Sequence, residues 1–397
     1  MGKIELCYDG KIPESQVFKL YKSVELVNVA TLNDQKNDQK DDWVNMLIYG
    51  DSREILRTLI DRKNVVRNVT LVYVDPPYGT GNVFRLRRTV SQSDSDRIAY
   101  KDFKFGSDYL EFLRHNFIFI RELLSENGSL YVHIGLNTLH YVKVILDEIF
   151  GRDNFVNDIA RVKSNPKNFK RRAYGNIRDS ILFYVKNPRK NIWNDPREPF
   201  TDEDIKRLFP KIDENGRRYT TVPLHAPGET KNGATNKEWR GIRPPKGRHW
   251  MYPPSILDEL DKQGKIVWSK NGVPRLKLYA NEKIKEGKKM QDVWLNFKDP
   301  QYPNYPTQKN LDMIKTIIEA SSNPGDIVLD SFCGSGTVAV ASEILNRRWI
   351  CIDNSIESIK ITLYRLIKVQ RRPFAIYTTP ENIELIKDII DNTNIFK

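Results

Sequence analysis

Two short stretches of the chain carry residue types that can do chemistry together. The first is Leu71-Val72-Tyr73-Val74-Asp75-Pro76-Pro77-Tyr78-Gly79. A run of apolar, β-branched and aromatic residues reads as a buried strand, and two prolines that cannot continue a sheet end it. A carboxylate therefore stands at the strand's carboxyl end with an aromatic ring three residues on. At that edge of an open parallel sheet ligands bind, so an acid, a stiffened turn and a ring form a small catalytic kit. An ordinary strand-to-turn exit has the same residue types. The second stretch, Asp326-Ile327-Val328-Leu329-Asp330-Ser331-Phe332-Cys333-Gly334-Ser335-Gly336-Thr337, is another buried strand entering a glycine-rich turn and then a helical pattern. Glycines let backbone pass close to a ligand, and amides at a helix start favour an electron-rich group. The following strand, Arg348 to Asp353, ends in an acid about 20 residues after the glycines, the distance of a carboxylate that binds ribose hydroxyls. No Gly-Lys-Ser/Thr follows and a third glycine is missing. The pattern is thus neither a phosphate loop nor a full dinucleotide fingerprint, and it reads as a nucleoside-binding half.

The elements around these stretches alternate strand and helix. Asn45 to Asp51 is a strand ending in an acid, followed by a helix from Ser52 to Ile60; Tyr109 to Leu124 and Leu139 to Ile149 are amphipathic helices flanking a strand from Ser129 to Ile134. Such alternation builds a parallel sheet. If the strands of Val74 and Asp330 are neighbours at its switch point, their carboxyl ends bring Asp75 and the glycine turn into one crevice.

Asp75-Pro76-Pro77-Tyr78 with Phe332-Cys333-Gly334-Ser335-Gly336-Thr337 resembles the catalytic and cofactor motifs of the amino-group DNA methyltransferases that use S-adenosylmethionine. The order, catalytic motif first, is similar to the β class, which includes modification subunits of type III restriction systems. The resemblance runs from about Asn45 to Gln370. It implies an α/β fold, a Rossmann-like methyltransferase sheet with circularly ordered motifs and an inserted target recognition domain. The implied layout is a catalytic half (42–186), a target recognition domain (187–298) and a cofactor-binding half (299–379), which the sequence pattern flanks with an N-terminal arm and linker (1–41) and a C-terminal helix (380–397). It also implies roles. Asp75, Pro76, Pro77 and Tyr78 would be catalytic. Asp330, Phe332, Gly334, Ser335, Gly336, Thr337 and Asp353 would hold the cofactor, with Asp51 and Ser52 near its adenine and Thr307 and Lys309 near its carboxylate. Asp51 can equally serve as a helix cap. Many relatives carry tryptophan where Arg161 stands, so no stacking role transfers to that position.

Composition fits a DNA partner. The net charge is +13, and residues 161–250 hold 22 Lys plus Arg against 10 Asp plus Glu. A basic segment of this kind is a footprint of phosphate contacts, although a solvated surface has the same composition. Within 187–298, aromatics mix with basic residues, as in Trp239-Arg240-Gly241-Ile242-Arg243 and His249-Trp250. That suits a DNA-facing surface as well as a loop-rich module packed on its tryptophans. The stretch from Gly79 to about Arg97 lacks periodicity and reads as a mobile loop over the target nucleotide, with Phe84 and its arginines toward DNA. Asn33 to Lys40 is polar and reads as a linker. Cys7, Cys333 and Cys351 have neither metal-ligand nor disulfide spacing, so no metal is expected. Without an apolar run of membrane length or a secretory pattern, a cytoplasmic location is expected.

The expected activity is site-specific methylation of an exocyclic base amine in double-stranded DNA, adenine N6 ahead of cytosine N4. A homodimer and a restriction subunit are partners the resemblance suggests. Methylation of structured RNA or a protein amide, and a catalytically silent DNA-binding protein, are the alternatives; the acid at position 75 and the basic insert argue against the first, and the intact motifs against the second.

Overall fold

The computed structural model describes residues 4–32, 43–85, 98–166, 170, 172–230, 233–301, 303, 305–369 and 372–392. The chain forms two compact units, 1–194 with 291–397, and 195–290. The expected linker 33–40 and the arginines at 87, 88 and 97 lie outside the described residues.

The larger unit is built on one ten-stranded sheet. In chain order its strands are β1 (Val27–Leu32), β2 (Asn45–Tyr49), β3 (Val69–Val74), β4 (Leu124–Ile134), β5 (Phe155–Val162), β6 (Arg178–Val185), β7 (Val293–Trp294), β8 (Ile327–Asp330), β9 (Arg348–Asp353) and β10 (Phe374–Thr378). Across the sheet they run β1-β10-β2-β9-β8-β3-β4-β6-β5-β7. The six from β10 to β4 are parallel, whereas β6 is antiparallel to both neighbours. Helices α1 (Glu14–Leu20), α2 (Ser52–Ile60), α3 (Ser107–Leu123), α4 (Leu139–Phe150), α5 (Leu311–Ser321), α6 (Thr337–Ile344) and α7 (Ile356–Ile367) accompany it. Every residue of β3 and β8 is buried, which is why both read as unbroken apolar runs instead of alternating ones.

The connections give this sheet its crevice. From β8 the chain crosses through α6 to β9 on one side, and from β3 it crosses through α3 to β4 on the other, so the order reverses between β8 and β3. Asp330 pairs with Tyr73 across that boundary, leaving Asp75 two residues beyond the paired register. The condition that the two motif strands be neighbours is met.

Three features differ from the sequence reading. Residues 4–24 pack on the core: Val17 of α1 is fully buried, and the Tyr8 hydroxyl donates to Glu111 at 2.6 Å. The stretch read as a mobile loop contains an antiparallel ribbon, Val83–Arg85 with Ile98–Lys101. Its start is pinned, because the Asp102 carboxylate accepts from the Gly79 and Thr80 amides at 3.1 and 2.8 Å. Finally, the smaller unit is narrower than 187–298. Asn194 donates to Ala320, and β7 pairs with β5, so these flanks belong to the large sheet.

The smaller unit has a four-stranded antiparallel sheet, Lys211–Ile212, Arg218–Pro223, Pro274–Tyr279 and Ile266–Trp268, and its own core. Trp239 and Trp250 are 2% and 1% exposed and lie in that core, each with its indole N–H bonded, to Asp258 and to the Lys237 carbonyl. These two rings stabilise the module by packing and are not available to stack on bases.

Candidate functional site

A single cleft at the carboxyl edge of β8 and β3 gathers nearly all the residues singled out by the sequence. Asp51, Ser52, Asp75, Pro76, Pro77, Tyr78, Thr307, Lys309, Asp330, Phe332, Gly334, Ser335, Thr337 and Asp353 all line it. Gly336 does not; it caps α6 from the left-handed region (φ 72°), where a Cβ would meet Thr362 at 2.6 Å. Its role is close packing of the turn against α7.

On the β3 side the turn is braced from several directions. The Asp75 carboxylate accepts from the Tyr78 hydroxyl at 3.1 Å on one oxygen and from the Lys309 ammonium at 2.8 Å on the other. Lys309 also lies 5.3 Å from the centre of the Tyr78 ring, a cation–π contact. Burial and the Asp75 charge push the Tyr78 phenol well up, which keeps it a donor. The Pro77 carbonyl is taken by the Tyr109 hydroxyl at 2.7 Å. Among the described residues the Pro76 carbonyl has no partner. Behind the turn, fully buried His133 receives the Tyr73 hydroxyl at Nδ1, 2.8 Å, and lies 3.4 Å from Asp179. Burial, with Lys309 nearby, pulls the His133 pKa down, so this imidazole is a neutral packed group. Arg161 is also fully buried and bonds the Phe297 carbonyl and Asp299 instead of facing the cleft.

On the β8 side the turn is held by its own neighbourhood. Asp353 accepts from the Gly334 amide at 2.7 Å and the Ser355 amide at 2.8 Å. Ser358 donates to the Gly334 carbonyl at 2.6 Å, and Arg365 reaches the Ser335 carbonyl and the Ser335 and Thr337 hydroxyls at 2.5, 3.0 and 3.0 Å. Asp330 is 2% exposed, accepts from the Phe332 amide, and is pushed well above the usual carboxylate range by burial, with Asp75 and Asp353 adding to it. Asp353 is raised for the same reason, the two amides opposing it. Asp51 behaves oppositely. Burial would raise it, but the Arg53 guanidinium grips both its oxygens and holds it below its ordinary value while it also caps α2.

The residues present suit a nucleoside that carries an amino acid. The Ser331 hydroxyl is buried without a partner among the described residues and lines the cleft. A Cβ on Gly334 would find nothing closer than 3.8 Å, so the turn leaves open space on its cleft side. Carboxylates at 51, 330 and 353 offer acceptors for amine and hydroxyl donors, and Phe332 and Tyr305 offer rings. Thr307, a β-branched residue at φ 62°, stands in the same cleft, a costly backbone state of the kind stored at ligand sites.

Several site residues escaped the sequence reading. Tyr100 stacks between Phe84 (4.7 Å) and Tyr305 (6.3 Å), forming an aromatic wall of the cleft. Phe84, read as reaching toward DNA, is therefore part of that wall. Asp102 and Arg365 act through contacts between segments more than 20 residues apart, which no local pattern announces, and Ser331 stands out only as a buried hydroxyl without a partner among the described residues.

Comparison with known proteins agrees with this geometry. Residues 69–363 match the family model for the N6/N4 DNA methylases. The chain is 39% identical over 382 residues to the type II methyltransferase M.EcaI of Enterobacter cloacae, covering 95% of this chain and 80% of that protein. It is 23% identical over 375 residues to the type II methyltransferase M.KpnI of Klebsiella pneumoniae, covering 84% and 85%. A type III restriction-modification enzyme, the StyLTI Mod subunit of Salmonella typhimurium, is 25% identical over 351 residues, covering 80% of this chain and 51% of that subunit. Among solved structures, the M1.HpyAVI–SAM complex matches with a TM-score of 0.41 at 20% identity, covering 81% and 100%.

Proposed function

Because this chain belongs to the N6/N4 DNA methylase family and takes its methyl group from S-adenosylmethionine, we propose that it methylates adenine N6 at a specific DNA sequence, within a restriction-modification setting. The observation that supports the reading is one cleft lined both by Asp75, two residues beyond the Tyr73–Asp330 pair, and by the Gly334 turn. The acid at position 75 favours adenine, as the family resemblance implies. Cytosine N4 is the alternative that the test below separates. The relatives' printed roles as type II methyltransferases and a type III Mod subunit support the restriction-modification setting.

An exocyclic base amine is a weak nucleophile because its lone pair is delocalised into the ring. In the proposed mechanism the Asp75 carboxylate and the free Pro76 carbonyl accept its two N–H groups, which localises the lone pair and aims it. Tyr78, its hydroxyl tied to Asp75, fixes the carboxylate's rotation. When bound, the sulfonium donor supplies an already activated methyl group. Asp51, Ser52, Asp330, Phe332, Gly334, Ser335, Asp353 and Thr307 would hold that donor. The aromatic wall of Phe84, Tyr100 and Tyr305 excludes water on the ribbon side. Reaching a paired base requires its extrusion, at roughly a few kcal/mol. The 195–290 unit, which overlaps the basic part of the sequence and holds 21 Lys plus Arg against 14 Asp plus Glu, is assigned target recognition, and its phosphate contacts would make affinity fall with salt.

The test is to express the chain in a methylation-free host and sequence the DNA by a method that reports modified adenine and cytosine singly. One methylated adenine motif, absent with Asp75→Ala, is expected. The same motif modified at cytosine would reassign the acceptor to N4, and unmodified DNA would overturn activity by this chain alone.

A further inference from the structure

The family resemblance placed Lys309 near the cofactor's carboxylate, but in the structure it sits with the catalytic turn. Its ammonium is 2.8 Å from Asp75 Oδ2, and its side chain is 8% exposed. An ammonium carries three N–H groups. Among the described residues only two acceptors meet it, Asp75 and, at 3.4 Å, the Thr307 carbonyl. At least one N–H therefore remains for the cleft that Lys309 lines. Asp75 is in a similar state. Each oxygen has one partner, Tyr78 or Lys309, and each retains a lone pair. The cleft thus presents a hydrogen-bond acceptor and a hydrogen-bond donor side by side, at the very atom where the amine reacts.

Few chemical edges match that pair. The amidine edge of adenine or cytosine has an exocyclic N–H donor next to an unprotonated ring nitrogen. At their keto edges guanine and thymine carry the opposite order, a carbonyl oxygen outside and a ring N–H within. With the exocyclic group held at Asp75, a keto base would press its oxygen on the carboxylate and its ring N–H on the ammonium, two repulsions. Resting on the methyltransferase reading above, we propose that Asp75 and Lys309 act as one unit that reads the amidine edge of the target base, Asp75 accepting from the amine and Lys309 donating to the adjacent ring nitrogen. Lys309 is then a specificity-determining residue on the acceptor side. The unit admits either amino base and refuses the keto edges of guanine and thymine, leaving the choice between adenine and cytosine to the surrounding wall.

The experiment uses the full chain, wild type and Lys309→Met, with duplexes carrying its methylated motif. In one duplex the target is the natural base; in the other the ring nitrogen is replaced by C–H with the amine retained, 1-deazaadenine or, for a cytosine target, 3-deazacytosine. Each target stands opposite an abasic site so that extrusion costs little. Three quantities are read: duplex affinity, single-turnover methyl transfer, and calorimetric binding of S-adenosylhomocysteine to the free protein. Wild type is expected to prefer the natural base by about ten-fold in affinity. Lys309→Met should lose that preference while its S-adenosylhomocysteine affinity stays within about three-fold, and Lys309→Arg, which keeps a donor, should retain part of it. A preference undiminished in a Lys309→Met protein that melts as a folded chain overturns the proposal. So does a loss of S-adenosylhomocysteine binding with the preference intact, which would return Lys309 to the cofactor. Affinity that distinguishes the bases without any methyl transfer would instead sink the methyltransferase reading and leave the reading unit standing.

Discussion

Two turns leave adjacent strands at the same edge of the sheet, and they are held in different ways. The turn after β8 is held by the stretch that follows it: Asp353 at the end of β9 and Ser358 and Arg365 on α7 bond its backbone. The turn after β3 also takes braces from the stretch that follows it, Asp102 on the Gly79 and Thr80 amides and Tyr109 on the Pro77 carbonyl, but its acid is held by Lys309 from the far half of the chain. The first arrangement makes a preformed receptor that folds with its own βαβ unit. The second makes a reactive group whose orientation depends on the whole domain having closed.

Removing Asp75 should break this contrast most sharply. Asp75→Ala is expected to lower single-turnover methyl transfer by about 10²–10³-fold, as for loss of one preorganised polar contact at a reacting atom. S-adenosylhomocysteine affinity should hardly move, since the other turn stands on its own bonds. A parallel loss of both would show that the two turns are one cooperative unit. On the other side, Gly336→Ala combines a left-handed φ of 72° with a Cβ 2.6 Å from the buried Thr362 side chain. The strained backbone and the overlap together should destabilise the chain by about 2–4 kcal/mol. Adding Thr362→Ala should recover the overlap and not the strain, and a double variant as unstable as the single one would mean that the clash is absorbed elsewhere. Thermal and denaturant melting measure both.

The same contrast explains what was legible in the sequence. The β8 turn, its glycines and Asp353 lie within one strand-helix-strand stretch, so spacing alone gave their relation. The β3 strand and its acid were equally plain, because a fully buried parallel strand reads as an unbroken apolar run. What surrounds Asp75 was not. Lys309 meets Asp75, and Tyr109 and Asp102 meet the turn beyond it, only through tertiary contacts, and a lysine before a helix carries no sign of its partner. Tyr100 and Phe84 lie in a stretch without periodicity, where the ribbon is set by cross-strand pairing and by Ser355 donating to the Ala99 carbonyl at 2.6 Å. The tryptophans of the smaller unit were ambiguous for a different reason: aromatic residues among charges have the same composition whether they face a ligand or fill a small core.

A smaller effect is expected where the β3 turn meets the ribbon. Asp102→Ala removes the acceptor of the Gly79 and Thr80 amides and of the Thr80 hydroxyl. It should cost about ten-fold in kcat/KM, through kcat, by loosening the segment beside Tyr78. Unchanged kcat with raised KM for DNA would assign Asp102 to nucleic-acid binding instead.

The smallest effect on methyl transfer lies one step further from the chemistry, on the helix that braces the β3 turn. Tyr109, which holds Pro77, is on α3, and Glu111 two residues on ties that helix to the N-terminal arm. Its carboxylate accepts from the Tyr8 hydroxyl, the Ile12 amide, Arg114 and His115. Burial alone would raise Glu111, but these partners outweigh it and bring its pKa from 4.5 down to about 2. A carboxyl more acidic in the folded chain than in the unfolded one stabilises the fold above the unfolded value and loses that contribution as pH falls toward the folded value. The contribution is about 2–3 kcal/mol at neutral pH. Wild type should therefore be more stable than Glu111→Gln at pH 7, and the gap should close between about pH 5 and pH 2 in melts followed by circular dichroism. Two curves that stay parallel over that range would mean that the arm does not depend on this charge. Because the β8 turn has no such strap, S-adenosylhomocysteine affinity should be the same in both proteins at pH 7, whereas the methyl-transfer rate of Glu111→Gln should fall slightly as α3 loosens beneath Pro77.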